Sequence, residues 1–112
     1  MDVLFAALET VKKAVPAVVQ RHREAGVLTW AILHRIESEV LAEVSGTGKH
    51  STQILNMLRA PETLDYPEDE RPVSFEGHDF VPPVFGAIYE AWRASTDQEK
   101  FAGTAGAEEK RP

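Results

Sequence analysis

The segment that most constrains the fold is Val27–Gly46, which carries the longest uninterrupted helical pattern in the chain. Its first half is apolar on nearly every side, and a polar face begins only in its second half. This pattern predicts a helix that is buried on all sides at its start and half-exposed at its end, with the other elements packed around it. The inward stripe consists of Leu33, Ile36, Val40, Leu41 and Val44, and the polar face of Arg35, Glu37, Ser38, Glu39 and Glu43.

An amphipathic helix is also predicted at the N-terminus, where Asp2 can act as the cap. Pro16 lacks an N–H group and crowds the preceding turn, so either this helix kinks there or a second helix begins at Pro16 and runs to Ala25. Gly26 is a predicted C-cap, and Thr29 a predicted cap of the central helix. The apolar stripe of the first helix is Leu4, Leu8, Val11 and Val15.

The second half of the chain is less regular. A short helix is predicted from Ser51 or Thr52 to Arg59, followed by a proline-rich excursion over residues 62–81. Within the excursion, Val73–Glu76 can form a short strand paired with Leu64–Tyr66. A last helix should start at Pro82 and Pro83. Its inward stripe is Val84, Phe85, Ile88, Tyr89 and Trp92.

The predicted fold class follows from these elements. We expect a mainly α-helical single domain of four or five helices over residues 1–95, followed by a polar C-terminal tail over residues 96–112. The tail contains one large apolar residue, Phe101, and its composition is typical of a segment that does not fold by itself.

The charge of the chain is unevenly distributed. Residues 1–60 hold seven Lys or Arg and six acids, whereas residues 61–112 hold five and twelve, giving the overall charge of −6. An acidic second half argues against a surface that wraps nucleic acid as a whole. The chain has no cysteine, which excludes disulfides and thiolate metal sites. Without a signal-peptide pattern or an apolar run of about 20 residues, we expect a cytoplasmic protein that does not span a membrane.

No catalytic, cofactor-binding or metal-binding site is predicted. The loop Gly46–Ser51 departs from the phosphate-binding motif, because His50 stands where that motif has Ser or Thr and the loop follows a helix. His34 and Glu37 lie one helical turn apart, but a metal site needs such pairs from several helices. We therefore predict a protein that is not an enzyme.

Two classes of binding function remain from the sequence. The first is a nucleic-acid-binding regulator of the winged helix-turn-helix type, in which the helix of residues 50–59 reads the duplex and the hairpin forms the wing. Gln, Asn and Arg can read base edges, and Lys and Thr contact phosphates. The acidic residues at the wing tip count against this hypothesis. The candidate contacts are Lys49, Thr52, Gln53, Asn56 and Arg59.

The second class, which we favour, is a non-enzymatic protein-interaction or assembly component. Aromatic residues ringed by acids on the 62–81 loop resemble the anchors and polar rim of an interface. The partner is either further copies of the chain or a larger complex. The alternative is that the loop packs its aromatic residues under itself as a lid on the core. The predicted partner-binding residues are Tyr66, Glu68, Asp69, Glu70, Phe75, Phe80 and Phe101.

Overall fold

The computed structural model describes residues 2–61 and 64–95, and this part of the chain is mainly helical. Helix α1 spans Asp2–Arg21 and continues through Pro16 as one element. Of the two predicted alternatives, the separate second helix is therefore wrong. Buried valines lie both before and after the proline, so packing holds the helix together where one backbone hydrogen bond is lost. These residues are Val11, Val15, Val18 and Val19.

Helix α2, Trp30–Gly46, is the predicted central helix, and its N-cap is the predicted Thr29. The Thr29 hydroxyl accepts a hydrogen bond from the Ile32 amide at 3.3 Å, which satisfies one of the free N–H groups of the first turn. A 3₁₀ turn, Arg23–Ala25, precedes it and ends at Gly26, whose φ of 81° suits glycine. Val27 lies before the helix and is exposed, contrary to its predicted place in the buried half.

Helices α1 and α2 run antiparallel. Arg21, at the end of α1, pairs with Glu43 at 2.6 Å, whereas Thr10, near the middle of α1, meets His50 just beyond α2 at 2.9 Å. The apolar faces of the two helices thus lie against each other along their length. Helix α3 spans only Thr52–Asn56, shorter than predicted, and Ser51 caps it through a hydrogen bond from the Ile54 amide.

Helix α4 covers residues 83–95, ending where the description of the chain stops. Its predicted stripe is confirmed as core. Phe85 meets both Trp30 and His34 edge-on, which seats the start of α4 against the start of α2. Among the helices of the described residues, none is long and apolar enough to cross a membrane. The stripe comprises Val84, Phe85, Ile88 and Trp92, which are buried, and Tyr89, which is partly buried.

The predicted β-hairpin does not form. In residues 64–66 and 73–76 the structure has no strand, and the β-type contact described in this region is an isolated bridge between Thr29 and Pro72. The amide of Val73 donates to the Leu28 carbonyl at 2.9 Å. The segment pairs with the start of α2 because the backbone there has hydrogen-bonding groups without a partner inside the helix. The alternation of apolar and polar residues within the segment is too weak to specify a hairpin instead.

Candidate functional site

The 64–81 segment is fixed to the first turn of α2 by backbone hydrogen bonds. The amides of Trp30 and Ala31 donate to the carbonyls of Arg71 and Asp69, at 3.0 and 2.8 Å. The first N–H groups of a helix have no partner within it, so these carbonyls satisfy donors that would otherwise need water. The segment therefore has a defined position over the helix entrance.

Two of the three loop aromatic residues pack into the chain's own core. The buried ring of Tyr66 stacks on Trp30 with 5.7 Å between ring centroids, and its hydroxyl donates to the Phe80 carbonyl at 2.8 Å. Phe75 lies edge-on to Trp30 and to Tyr89, at 5.5 Å in each case. For these two rings the structure has the arrangement of the alternative prediction, in which the loop packs its aromatic residues under itself as a lid on the core. Their predicted contact with a partner stays a prediction.

Phe80 differs from the other two aromatic residues, since 51% of its surface is exposed. Val81 and Leu64 are also exposed apolar residues of this segment. Because Tyr66 holds the Phe80 carbonyl, the exposed ring is attached to a fixed backbone. Phe101 lies outside the described residues.

The three predicted acidic contacts have different surroundings. Asp69 is paired with Arg71, whose backbone and side-chain nitrogens donate to it at 3.0 and 2.7 Å. The hydrogen bond from the Arg71 backbone amide is the main reason that the pKa of Asp69 lies below its ordinary value. Glu70 is exposed. The carboxylate of Glu68 lies 3.5 Å from Nδ1 of His34, at the rim of a pocket.

This pocket has a volume of about 310 Å³ and lies between α2, the end of the α3 region and the 64–81 segment. Glu37, with 3% of its surface exposed, lies in its wall. We call it the Glu37 pocket. Its lining residues among those described are His34, Glu37, Arg59, Ala60, Pro61, Asp65, Tyr66 and Glu68.

Glu37 is held by groups from the chain beyond α3. Its Oε2 accepts a hydrogen bond from the Ala60 amide at 2.7 Å, and its Oε1 lies 3.8 Å from Nη1 of Arg59. Burial raises the pKa of this carboxyl above its ordinary value, and the Ala60 hydrogen bond and the Arg59 charge oppose that shift only in part. The carboxylate thus fixes the segment after α3 to the side of α2.

The prediction that Glu37 lies on the polar face of α2 is wrong, and its spacing in the sequence indicates burial. Glu37 is four residues after Leu33 and four before Leu41, both buried, so helical geometry places all three on the same face. A carboxylate inside an apolar stripe requires a partner, and Ala60 and Arg59 provide it. Proximity of Glu37 to residue 60 could not be read from spacing along one helix.

The residues of the nucleic-acid hypothesis lie at the surface, as predicted, but do not share one long helix. Helix α3 has five residues, and Lys49 and Arg59 fall outside it. Arg59 is turned toward Glu37, and the Thr52 hydroxyl lies 3.2 Å from that of Ser45. The hairpin that would form the wing is absent from the described residues. All five candidates, Lys49, Thr52, Gln53, Asn56 and Arg59, are exposed.

Three histidines that could in principle join a metal site each have a different partner. His22 contacts Glu39 at 3.0 Å, His50 contacts Thr10, and His34 contacts the Pro67 carbonyl at 2.7 Å. In the part of the chain that the structure describes, no group of three or more His, Asp or Glu side chains is placed to hold a metal ion.

The chain was compared with known proteins, solved structures and protein-family models. No curated protein and no solved structure matches the chain. A family model described as "Protein of unknown function (DUF2471)" matches residues 3–108, which is nearly the whole sequence. The chain therefore belongs to the DUF2471 family.

Proposed function

We propose that this protein is a non-enzymatic interaction component of the cytoplasm that docks onto a protein partner through the 62–81 loop and the C-terminal tail. The observation that carries the proposal is an exposed aromatic ring, Phe80, on a backbone that is already fixed. A preorganised loop loses little conformational freedom on binding, so more of the contact energy is available for affinity. The partner is either a further copy of the chain or a larger complex.

The chemistry of the segment indicates what the partner surface must offer. Phe80 and Val81 supply apolar contact, and Glu68 and Glu70 are exposed acids of the same segment. An apolar centre with a charged rim is typical of transient protein interfaces. The complementary surface is an apolar patch bordered by Lys or Arg, and its attraction to the acids should weaken as salt increases.

Tyr66 and Phe75 support the surface from below in this proposal. Their rings pack on Trp30, and the Tyr66 hydroxyl holds the backbone of Phe80. Burial raises the pKa of the Tyr66 phenol, so the hydroxyl keeps its proton and remains a donor near neutral pH. They act on docking by positioning Phe80, whereas Phe80 makes the contact.

A matched pair of variants tests the proposal. Phe80→Ala removes the exposed ring of the loop, and Phe5→Ala removes a ring from α1 that is at least as exposed. Self-association is measured by analytical ultracentrifugation, and association with other proteins by quantitative capture from native extract. The expected result is loss of association with Phe80→Ala and retention with Phe5→Ala. Equal association of both variants with wild type would contradict the proposal.

The nucleic-acid hypothesis receives less support from the geometry. A recognition element is normally a helix lying in the major groove, and α3 is a turn and a half long. Arg59, its strongest candidate for a base contact, faces a buried carboxylate. A low-salt anisotropy titration with duplex and single-stranded DNA tests the nucleic-acid hypothesis. Binding that is weakened by Lys49→Ala and also by Arg59→Ala would favour this hypothesis over docking onto a protein partner.

A further inference from the structure

Another pocket lies at the opposite end of α2 from the 64–81 segment. It is a groove of about 300 Å³ between α1 and the turn that follows α2. Its inner lining is apolar, because Val44 is almost completely buried and Ala14 is partly buried, whereas Lys13 and Lys49 are exposed at its rim. We call it the lysine groove. Its lining residues among those described are Thr10, Lys13, Ala14, Glu43, Val44, Thr47 and Lys49.

The walls of the lysine groove are fixed by hydrogen bonds. The Thr10 hydroxyl lies 2.9 Å from Nε2 of His50, and this hydrogen bond joins α1 to the turn after α2. Within the turn, the Thr47 hydroxyl donates to the Val44 carbonyl at 2.7 Å and accepts from the Lys49 amide at 3.3 Å. The groove is therefore formed before any partner binds, which lowers the entropic cost of binding.

The rim of the lysine groove is positively charged. Glu43, the acid in its lining, is already paired with Arg21 at 2.6 Å. Within the described part of the chain, neither Lys13 nor Lys49 is paired with a carboxylate. The groove thus presents apolar surface with two lysines at its edge, which is the kind of surface that the docking segment requires of its partner.

We propose that the partner is a second copy of this chain, and that the lysine groove of one copy receives the 64–81 segment of the next. This inference rests on the proposed function, because Phe80 supplies the apolar contact in both. The exposed acids Glu68 and Glu70 of the segment then lie near the two lysines of the groove. The charge of the whole chain is divided in the same way. Residues 1–60 hold seven Lys or Arg against six acids, and residues 61–112 hold five against twelve.

The fold prevents a copy from filling its own groove. The 64–81 segment is bonded to the first turn of α2, whereas the groove lies at the end of α2, where Val44 and Thr47 line it. The rise of the helix from Trp30 to Val44 is about 21 Å, at roughly 1.5 Å per residue. Because segment and groove are at opposite ends of one copy, contacts between copies run head to tail. Such contacts produce a ring or an open chain instead of a two-fold dimer.

Two adjacent lysines of α1 provide the matched comparison, with association of the intact protein measured by analytical ultracentrifugation. Wild type should associate as its concentration rises, and less at high salt, because exposed charges are screened. Lys13→Glu should weaken association by at least about twofold to fivefold, the loss expected for one exposed ion pair. Lys12→Glu makes the same charge change at an exposed position outside the groove lining and should associate as wild type. Equal weakening by both variants, or wild type that stays monomeric at millimolar concentration, would overturn the inference.

Mixing two variants tests the head-to-tail arrangement. The double variant Lys13→Glu with Lys49→Glu keeps the docking segment but has a groove of reversed charge, and Phe80→Ala keeps the groove but lacks the exposed ring. Each variant alone should stay monomeric, whereas an equimolar mixture should form one-to-one pairs, because one productive contact remains. A mixture that stays monomeric, or a double variant that associates by itself as wild type does, would overturn the inference.

The two proposals can fail separately. If wild type is monomeric but binds another protein in a manner that depends on Phe80, docking holds and the second-copy inference is wrong. If Phe80→Ala associates as wild type, the docking proposal is wrong. The pairing of the segment with the groove is then wrong as well, even if Lys13→Glu weakens association.

Discussion

The buried carboxylate of Glu37 gives the sharpest test of how this fold is held together. Two substitutions separate its roles. Glu37→Gln keeps an oxygen that can accept from the Ala60 amide but removes the charge, and Glu37→Ala removes both. The two variants are compared with wild type and with Glu70→Gln, a charge change at an exposed position.

The expected magnitudes follow from the contacts. Glu37→Ala leaves the Ala60 amide without its acceptor, which should lower the free energy of unfolding by about 1–3 kcal/mol. Glu37→Gln loses a 3.8 Å pair with a partly exposed arginine, and it no longer has to keep a charge away from water. It should remain within about 1 kcal/mol of wild type near neutral pH.

The pH dependence has a defined sign. Because burial raises the pKa of Glu37 in the folded state, the folded protein binds more protons than the unfolded chain between the ordinary and the raised value. This contribution to stability is fully present below the ordinary glutamate pKa of about 4.3 and is lost as the pH rises through the raised value. Wild type should therefore gain stability relative to Glu37→Gln as the pH falls through that window.

Urea unfolding measures these differences, with fluorescence of the buried Trp30 and Trp92 as the signal. Titrations at several pH values give the free energy of unfolding of each variant. The reasoning is refuted if Glu37→Gln loses as much stability as Glu37→Ala, because the charge itself would then be the stabilising feature. A difference between wild type and Glu37→Gln that does not change with pH would also refute it.

Three further predictions concern the core, the loop and the interface. Leu33→Ala should lower the free energy of unfolding by about 2–5 kcal/mol because the side chain is completely buried, and an unchanged urea midpoint would mean that the buried face of α2 is misassigned. Tyr66→Phe should lower the free energy of unfolding by about 0.5–1.5 kcal/mol, because the hydrogen bond to the Phe80 carbonyl is lost. Faster hydrogen exchange at the Val73 amide would be a second measure that the 64–81 segment has become less tightly held. Phe80→Ala should leave stability within about 0.5 kcal/mol of wild type while abolishing association, and a large loss of stability would assign Phe80 to the core.

The sequence by itself determined the helices, because helix formation depends on neighbours within a few residues. The stripe from Leu33 to Val44 and the cap at Thr29 are local patterns, and the structure confirms them. The stripe of α4 is equally local, and its residues are core as predicted. At Pro16 the local rule left two alternatives open, and tertiary packing of the valines on either side selected one continuous helix.

Only the tertiary structure decided the position of the 64–81 segment and the surroundings of Glu37. The bonds between residues 28–31 and 69–73 join groups about forty positions apart, and the donors and acceptors are backbone atoms that every residue carries. No side-chain pattern distinguishes such a pairing from a hairpin. Likewise, Glu37 was predicted on the polar face, and although its spacing from Leu33 and Leu41 indicates burial, no local pattern indicates that Ala60 and Arg59 lie opposite. That contact exists because the chain beyond α3 returns to the side of α2, and a long-range return of this kind is not encoded in local periodicity.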